Sequence, residues 1–156
     1  RGPGEGLKLL LASLNKSRPS IAAHALGIAR AAFEDSVAYL NERRQSGRRI
    51  AEFQGIQFQL ADLATDLATC ESWLWAIARR VDAGDADFGI EASMLKMRAS
   101  DVAMRITTEA VQFFGGYGYC SEFRVERLMR DAKITQIWEG TNQIHRQLIG
   151  RSFLSR

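Results

Sequence analysis

The feature that most limits the fold is an apolar stripe: Ile56, Leu60, Leu63, Leu67, Cys70 and Leu74 follow one another in steps of four, three, four, three and four. Such steps keep six side chains on one face of an α-helix, in the seam spacing of a helix packed along another. A half-buried strand alternates with period two, and no window of this chain sustains that alternation. Proline, the strongest helix breaker, occurs only at positions 3 and 19. The spacing predicts helices over Glu5 to Leu14, Lys16 to Gln45, Ala51 to Ala83 and Phe88 to Phe114, with a shorter one over Val125 to Ala132 and a last one after Gly140. Pro19 falls near the start of the second, where a missing N–H costs little. Gly84 reads as the cap that stops the third, and Gly115-Gly116-Tyr117-Gly118 stops the fourth, whose face carries Leu95, Ala99, Val102, Ile106 and Phe113. The expected fold is all-α, an antiparallel up-and-down four-helix bundle with short additional helices at the C-terminal end.

A chain of 156 residues, 46% apolar and 25% charged, suits one domain over residues 1–156 that buries roughly 70% of its unfolded surface without staples. The longest stretch free of charge, Ala110 to Ser121, is twelve residues long and holds three glycines, so no membrane span is expected. Cys70 and Cys120 make no disulfide framework, which fits a reducing compartment. The start, Arg1 to Gly6, has neither Met nor an apolar signal core and reads as a cut through a longer protein. Together with the Arg-rich composition this points to a bacterial cytoplasm, with a mitochondrial matrix also open.

Several chemistries fall on residue types. A di-metal helical bundle needs Glu-x-x-His pairs, but His24 and His145 are preceded three residues earlier by Ile21 and Asn142, so no metal site is expected and both histidines read as satisfied structural residues. No phosphate-binding loop of the Gly-x-x-x-x-Gly-Lys type is present. Arg43, Arg44, Arg48 and Arg49 form either a solvated helix end or a phosphate clamp. Nucleic acid is a third option for the cluster, to which a net charge of only +3 gives weak support. Gln112 to Gly118 is either a capped helix with a flexible turn or a backbone cradle for phosphate. Glu139, between Trp138 and Gly140-Thr141-Asn142, is either a first-turn carboxylate or a general base; Thr141 or Asn142 would cap the helix that follows.

Three blocks then carry a resemblance: Glu42-Arg43-Arg44-Gln45-Ser46-Gly47 followed by Phe53-Gln54; Gln112 to Gly118; and Met129 to Arg146. In order and separation they resemble the C-terminal helical domain of the acyl-CoA dehydrogenase family, almost end to end. The resemblance implies a protein with an N-terminal helical domain, a β-domain and this bundle, binding FAD and assembled as a homotetramer, a dimer of dimers. It implies that Glu139 is the catalytic base in a Trp-Glu-Gly-Thr motif. A minority of the family carries the base on an earlier helix, where this chain has Leu14-Asn15-Lys16-Ser17-Arg18; Ser17 has no carboxylate, so the role falls on Glu139.

By the same likeness Arg43 and Gln54 would bind flavin across a dimer interface. Gln112, Phe113, Phe114, Gly115 and Gly116 would hold the adenylate end of FAD from a neighbouring subunit. Thr141, Asn142 and Gln143 would touch the cofactor, Gly140 would lie beside the acyl thioester, and Asn15, Lys16, Ser17 and Arg18 near the CoA, with Arg18 the direct contact. The implied reaction is α,β-dehydrogenation of acyl-CoA, with a backbone N–H of Glu139 among the donors polarising the carbonyl. An electron-transfer flavoprotein is an implied acceptor. Neighbouring readings are an acyl-CoA oxidase, a carrier-protein-linked dehydrogenase, or a non-catalytic helical oligomerisation module. The chain departs from the family at Ser46, usually Phe; Asn15, commonly Asp; Trp138, commonly Tyr; and His145, commonly Gln.

Overall fold

The computed structural model describes residues 4–85 and 87–154, apart from the side chain of Lys8; the reading of Arg1 to Pro3 lies outside them. Three long helices, α1 (Gly6–Glu42), α2 (Gln54–Asp82) and α3 (Gly89–Phe114), are followed by two short ones, α4 (Val125–Thr135) and α5 (Asn142–Leu154). The first four form the bundle, with α5 laid against α3. The predicted stripe is the inner edge of α2: Leu63, Leu67 and Cys70 are buried, and Ile56, Leu60 and Leu74 pack at its margins. Small residues set the closest approach, where Ala22, Ala25, Ala29 and Ala32 of α1 and Ala92, Ala99, Ala103 and Ala110 of α3 are all fully buried. Alanine on both helices lets the backbones come near without leaving voids.

The α2 stop is as expected. Gly84 has φ +76°, its N–H bonds to the Val81 carbonyl, and the Asp85 N–H bonds to the Arg80 carbonyl, which together make a Schellman motif. Asp66 of α2 receives Arg98 and Arg105 of α3, each at 2.7 Å, and Arg30 of α1 pairs with Glu71 of α2.

Two boundaries differ from the sequence reading. The expected break between Leu14 and Lys16 is absent, because α1 runs through Pro19. An interior proline costs about 3 kcal/mol, and tertiary contacts offset it: Pro19 and Arg18 are buried, and the Arg18 guanidinium spans to Asn15 and to Ser93 of α3. The second predicted helix also overran. α1 ends at Glu42, and β1 (Arg44–Gln45) pairs antiparallel with β2 (Arg48–Arg49). Ser46 and Gly47 between them have φ +52° and +82°, the two positive values that a type I′ hairpin needs. A serine there keeps the small hairpin, too short to register as alternation.

Candidate active site

Glu139 sits on a tight turn between α4 and α5. The Ile137 and Trp138 N–H groups both bond back to the Ile134 carbonyl, and the Asn142 N–H closes the loop onto the Gln136 carbonyl at 3.0 Å. Between these ties Glu139 and Gly140 take φ +54° and +95°. A non-glycine residue held there costs on the order of 1–3 kcal/mol and persists only when its surroundings impose it. Thr141 caps α5 as expected, its carbonyl accepting the His145 N–H and its hydroxyl lying 3.4 Å from the Ile144 nitrogen.

The structure brings part of the predicted substrate segment to this turn. Ser17 Oγ donates to the Glu139 carboxylate at 2.7 Å, which brings α1 and the turn into direct contact. Arg18 is only 7% exposed; it donates to Asn15 Oδ1 at 2.7 Å and to Ser93 Oγ at 2.9 Å, leaving Nε unpaired. Burial lowers its pKa, and the Glu139 charge pulls the other way. Its side chain is turned inward, whereas Lys16 faces a separate groove between α1 and α2 beside Trp75. The Trp138 ring lies 5.4 Å from that of His24.

Beneath the turn is a buried polar cluster that sequence reasoning missed. Lys96 of α3 is fully buried, and its ammonium donates to the Gly140 carbonyl at 2.8 Å and to Asn142 Oδ1 at 3.2 Å. Asn142, 3% exposed, also donates to Ser100 Oγ at 2.9 Å and to Asp101 at 2.8 Å. Burial pulls the Lys96 pKa down to about 8, Arg18 adds to the fall, and Asp101 and Glu139 oppose it. His145 is also fully buried; neither ring nitrogen makes a well-formed hydrogen bond among the described residues, although the Glu139 and Gly140 backbone lies close enough to interact with the ring. Burial, then the Lys96 and Arg18 charges, push its pKa down to about 4 and keep it neutral. A signal for Lys96 existed: it falls in line with Ala92, Ser100, Ala103, Thr107 and Ala110, a second stripe that is buried throughout.

The other predicted segments gather at the far end of α3. A cleft of about 520 Å³ is lined by Tyr39, Arg43, Gln45, Gln112 to Gly116 and Tyr117. The Arg43 guanidinium lies 5.5 Å from the centre of the Tyr117 ring and forms no ion pair with a described residue. Arg49 is occupied by Glu52 at 2.8 Å. Gly115 has φ +61°, and a side chain added at Gly115 or Gly116 would point into open space. Gln54, at the start of α2, and Gln143, on the first turn of α5, are exposed and do not line this cleft.

Comparison with known proteins decides the family. The family description "Acyl-CoA dehydrogenase, C-terminal domain" matches residues 4–154. The chain belongs to the acyl-CoA dehydrogenase family. It is 49% identical over 152 residues to a Mycobacterium tuberculosis protein named probable acyl-CoA dehydrogenase FadE25, covering 97% of this chain and 39% of the relative. A short-chain specific acyl-CoA dehydrogenase of Megasphaera elsdenii is 46% identical over 151 residues, with the same shares covered. The solved butyryl-CoA dehydrogenase from Megasphaera elsdenii superposes with TM-score 0.94 at 46% identity, over 97% of this chain and 39% of that one. The chain thus spans about two fifths of the length of these relatives. The family comprises flavoprotein oxidoreductases of fatty acid metabolism. Among the described residues no helix is long and apolar enough to cross a membrane.

Proposed function

We propose that this chain is the C-terminal domain of an FAD-dependent acyl-CoA dehydrogenase and that Glu139 is the base that takes the α-proton. The observation that carries the reading is the turn itself: a carboxylate held at positive φ, hydrogen-bonded to Ser17, with its own backbone N–H unpartnered among the described residues. A carbon acid α to a thioester needs both a base and a donor for the carbonyl oxygen on which charge builds. Glu139 offers the first through its side chain and the second through its N–H.

The residues present fit FAD at two separate places. Arg43 with the open backbone at Gly115 and Gly116 offers a guanidinium and amide donors, the donor set that suits a pyrophosphate. Thr141 and Gln143 stand next to Glu139 and would face the flavin end. When bound, FAD supplies the acceptor for the hydride leaving the β-carbon. From Lys96 to Phe113 the rise along α3 is about 25 Å at 1.5 Å per residue. That separation supports a site shared between subunits, with the glycine cleft of one chain serving the Glu139 of another in a homotetramer. Butyryl-CoA is the substrate class suggested by the Megasphaera relative. An electron-transfer flavoprotein is the proposed electron acceptor, and a bacterial cytoplasm the proposed location.

Exposed Leu7, Leu10, Leu11, Trp75 and Phe153 favour a second statement, that this piece alone is an assembly surface. Isolated, it should self-associate and turn over no acyl-CoA. The test of the main reading is an anaerobic titration of the full-length protein with straight-chain acyl-CoAs. Flavin absorbance at 450 nm is expected to bleach with one chain-length class; absence of flavin, or flavin that no acyl-CoA bleaches, would overturn it.

A further inference from the structure

We propose that Lys96 is a positioning residue for the catalytic turn: its buried ammonium, bonded to the Gly140 carbonyl and Asn142, is what holds Glu139 in its left-handed backbone conformation. This rests on the reading of Glu139 as the base. The argument begins with cost. A lysine with no exposed surface, on a helix face otherwise made of alanine, serine and threonine, loses all its hydration, and burial of a charge is tolerated only when paired and hydrogen-bonded. What Lys96 receives in return lies in the turn: the Gly140 carbonyl at 2.8 Å and the Asn142 side chain at 3.2 Å.

The turn has little else to hold it from below. Gly140 has φ +95°, and a Cβ there would stand 3.2 Å from Nε2 of His145, whose ring packs under the turn and makes only weak hydrogen-bonding contacts with the Glu139 and Gly140 backbone. Ser17 holds the Glu139 carboxylate from above. Among the described residues Lys96 is therefore the side chain that gives the Glu139–Gly140 backbone a well-formed hydrogen bond, at 2.8 Å. With that tie removed, Glu139 can relax out of positive φ, and a displacement of about 1 Å at a reacting group costs roughly 10²-fold in rate.

The charged and titratable groups that face Lys96 are Arg18 from α1, Asp101 on α3, Glu139 on the turn and His145 on α5. Loss of the Lys96 proton near pH 8 turns a charged strut into a weaker neutral one, which separates this role from a purely structural one.

The experiment uses the full-length flavoprotein with Lys96→Met, Lys96→Gln and, as a control on the base itself, Glu139→Gln. The expected result for Lys96→Met is a fall in kcat per bound flavin of about 10²-fold, with KM for acyl-CoA changed less than about threefold and flavin content retained. The decline of wild-type kcat above pH 8 should be absent from both Lys96 variants. Lys96→Gln keeps an N–H for Gly140 and should fall less; it carries the test if the Met variant does not fold. If Lys96→Met and Lys96→Gln keep wild-type kcat and pH profile while Glu139→Gln is inactive, the proposal is wrong and the base assignment stands. If Glu139→Gln turns over normally, the base assignment fails instead.

Discussion

The two ends of α3 are built on opposite plans. At one end Glu139 rests on interior polar groups, Lys96, Ser100, Asp101 and Asn142, joined to one another and to the turn. At the other, Arg43 and the Gly115-Gly116 backbone line an open cleft and bond to little within the chain. On the proposed role of Glu139, a base must be fixed before its substrate arrives, and its support is carried inside one chain. Open donors are useful only when something else fills them.

The largest effect should come from Glu139→Gln in the full-length protein, which keeps the shape but cannot take a proton; turnover should drop roughly 10⁴-fold with flavin still bound, as read by steady-state assay and absorbance. The two ends can then be contrasted glycine by glycine. Gly140→Ala meets both positive φ and His145, and should lower turnover by about 10²-fold, whereas Gly116→Ala meets nothing within the chain and should leave its folding, measured by thermal melting, unchanged. A smaller contrast lies among the arginines. Arg43→Ala should weaken flavin retention about tenfold, the scale of one charge-assisted hydrogen bond, and Arg49→Ala should not, because Glu52 already holds Arg49. Equal losses on gel filtration would return the cluster to a solvated helix end.

The smallest effect is on stability and follows from the buried ring. His145 has a folded pKa of about 4 against an ordinary 6.5, so between those values the unfolded chain binds more protons than the folded one. Stability therefore falls as pH drops from 6.5 to 4, by up to about 3 kcal/mol for this group. Denaturant unfolding at several pH values should show that slope, and His145→Gln should flatten it.

How much of this was legible beforehand follows the same divide. Helical periodicity was enough for α2 and α3, because a core face repeats and a repeat can be counted. Glu139 and the Arg43 and Gln112 to Gly116 segments were legible as motifs. Lys96 was not, since a single lysine in a helix usually points to solvent; only the small buried residues at its i−4 and i+4 positions, Ala92 and Ser100, marked its face. Pro19 misled for a related reason: a local break signal was overridden by Arg18 reaching Ser93, a contact 75 residues away in sequence. The hairpin at Arg44–Arg49 was too short for any pattern.

The central claim is that one chain supplies a finished base and its neighbour the cofactor cleft. The most direct measurement co-expresses full-length Arg43→Ala and Glu139→Gln subunits carrying different affinity tags and assays the doubly purified hybrid. In assays without added FAD, the account predicts a nearly inactive Glu139→Gln parent and an Arg43→Ala parent that has lost most of its flavin and turnover, while the hybrid regains a large part of wild-type turnover, since one site in each pair then has an intact Arg43 from one subunit and an intact Glu139 from the other. A hybrid as inactive as its parents would mean that both residues serve the same chain's site, and would contradict it.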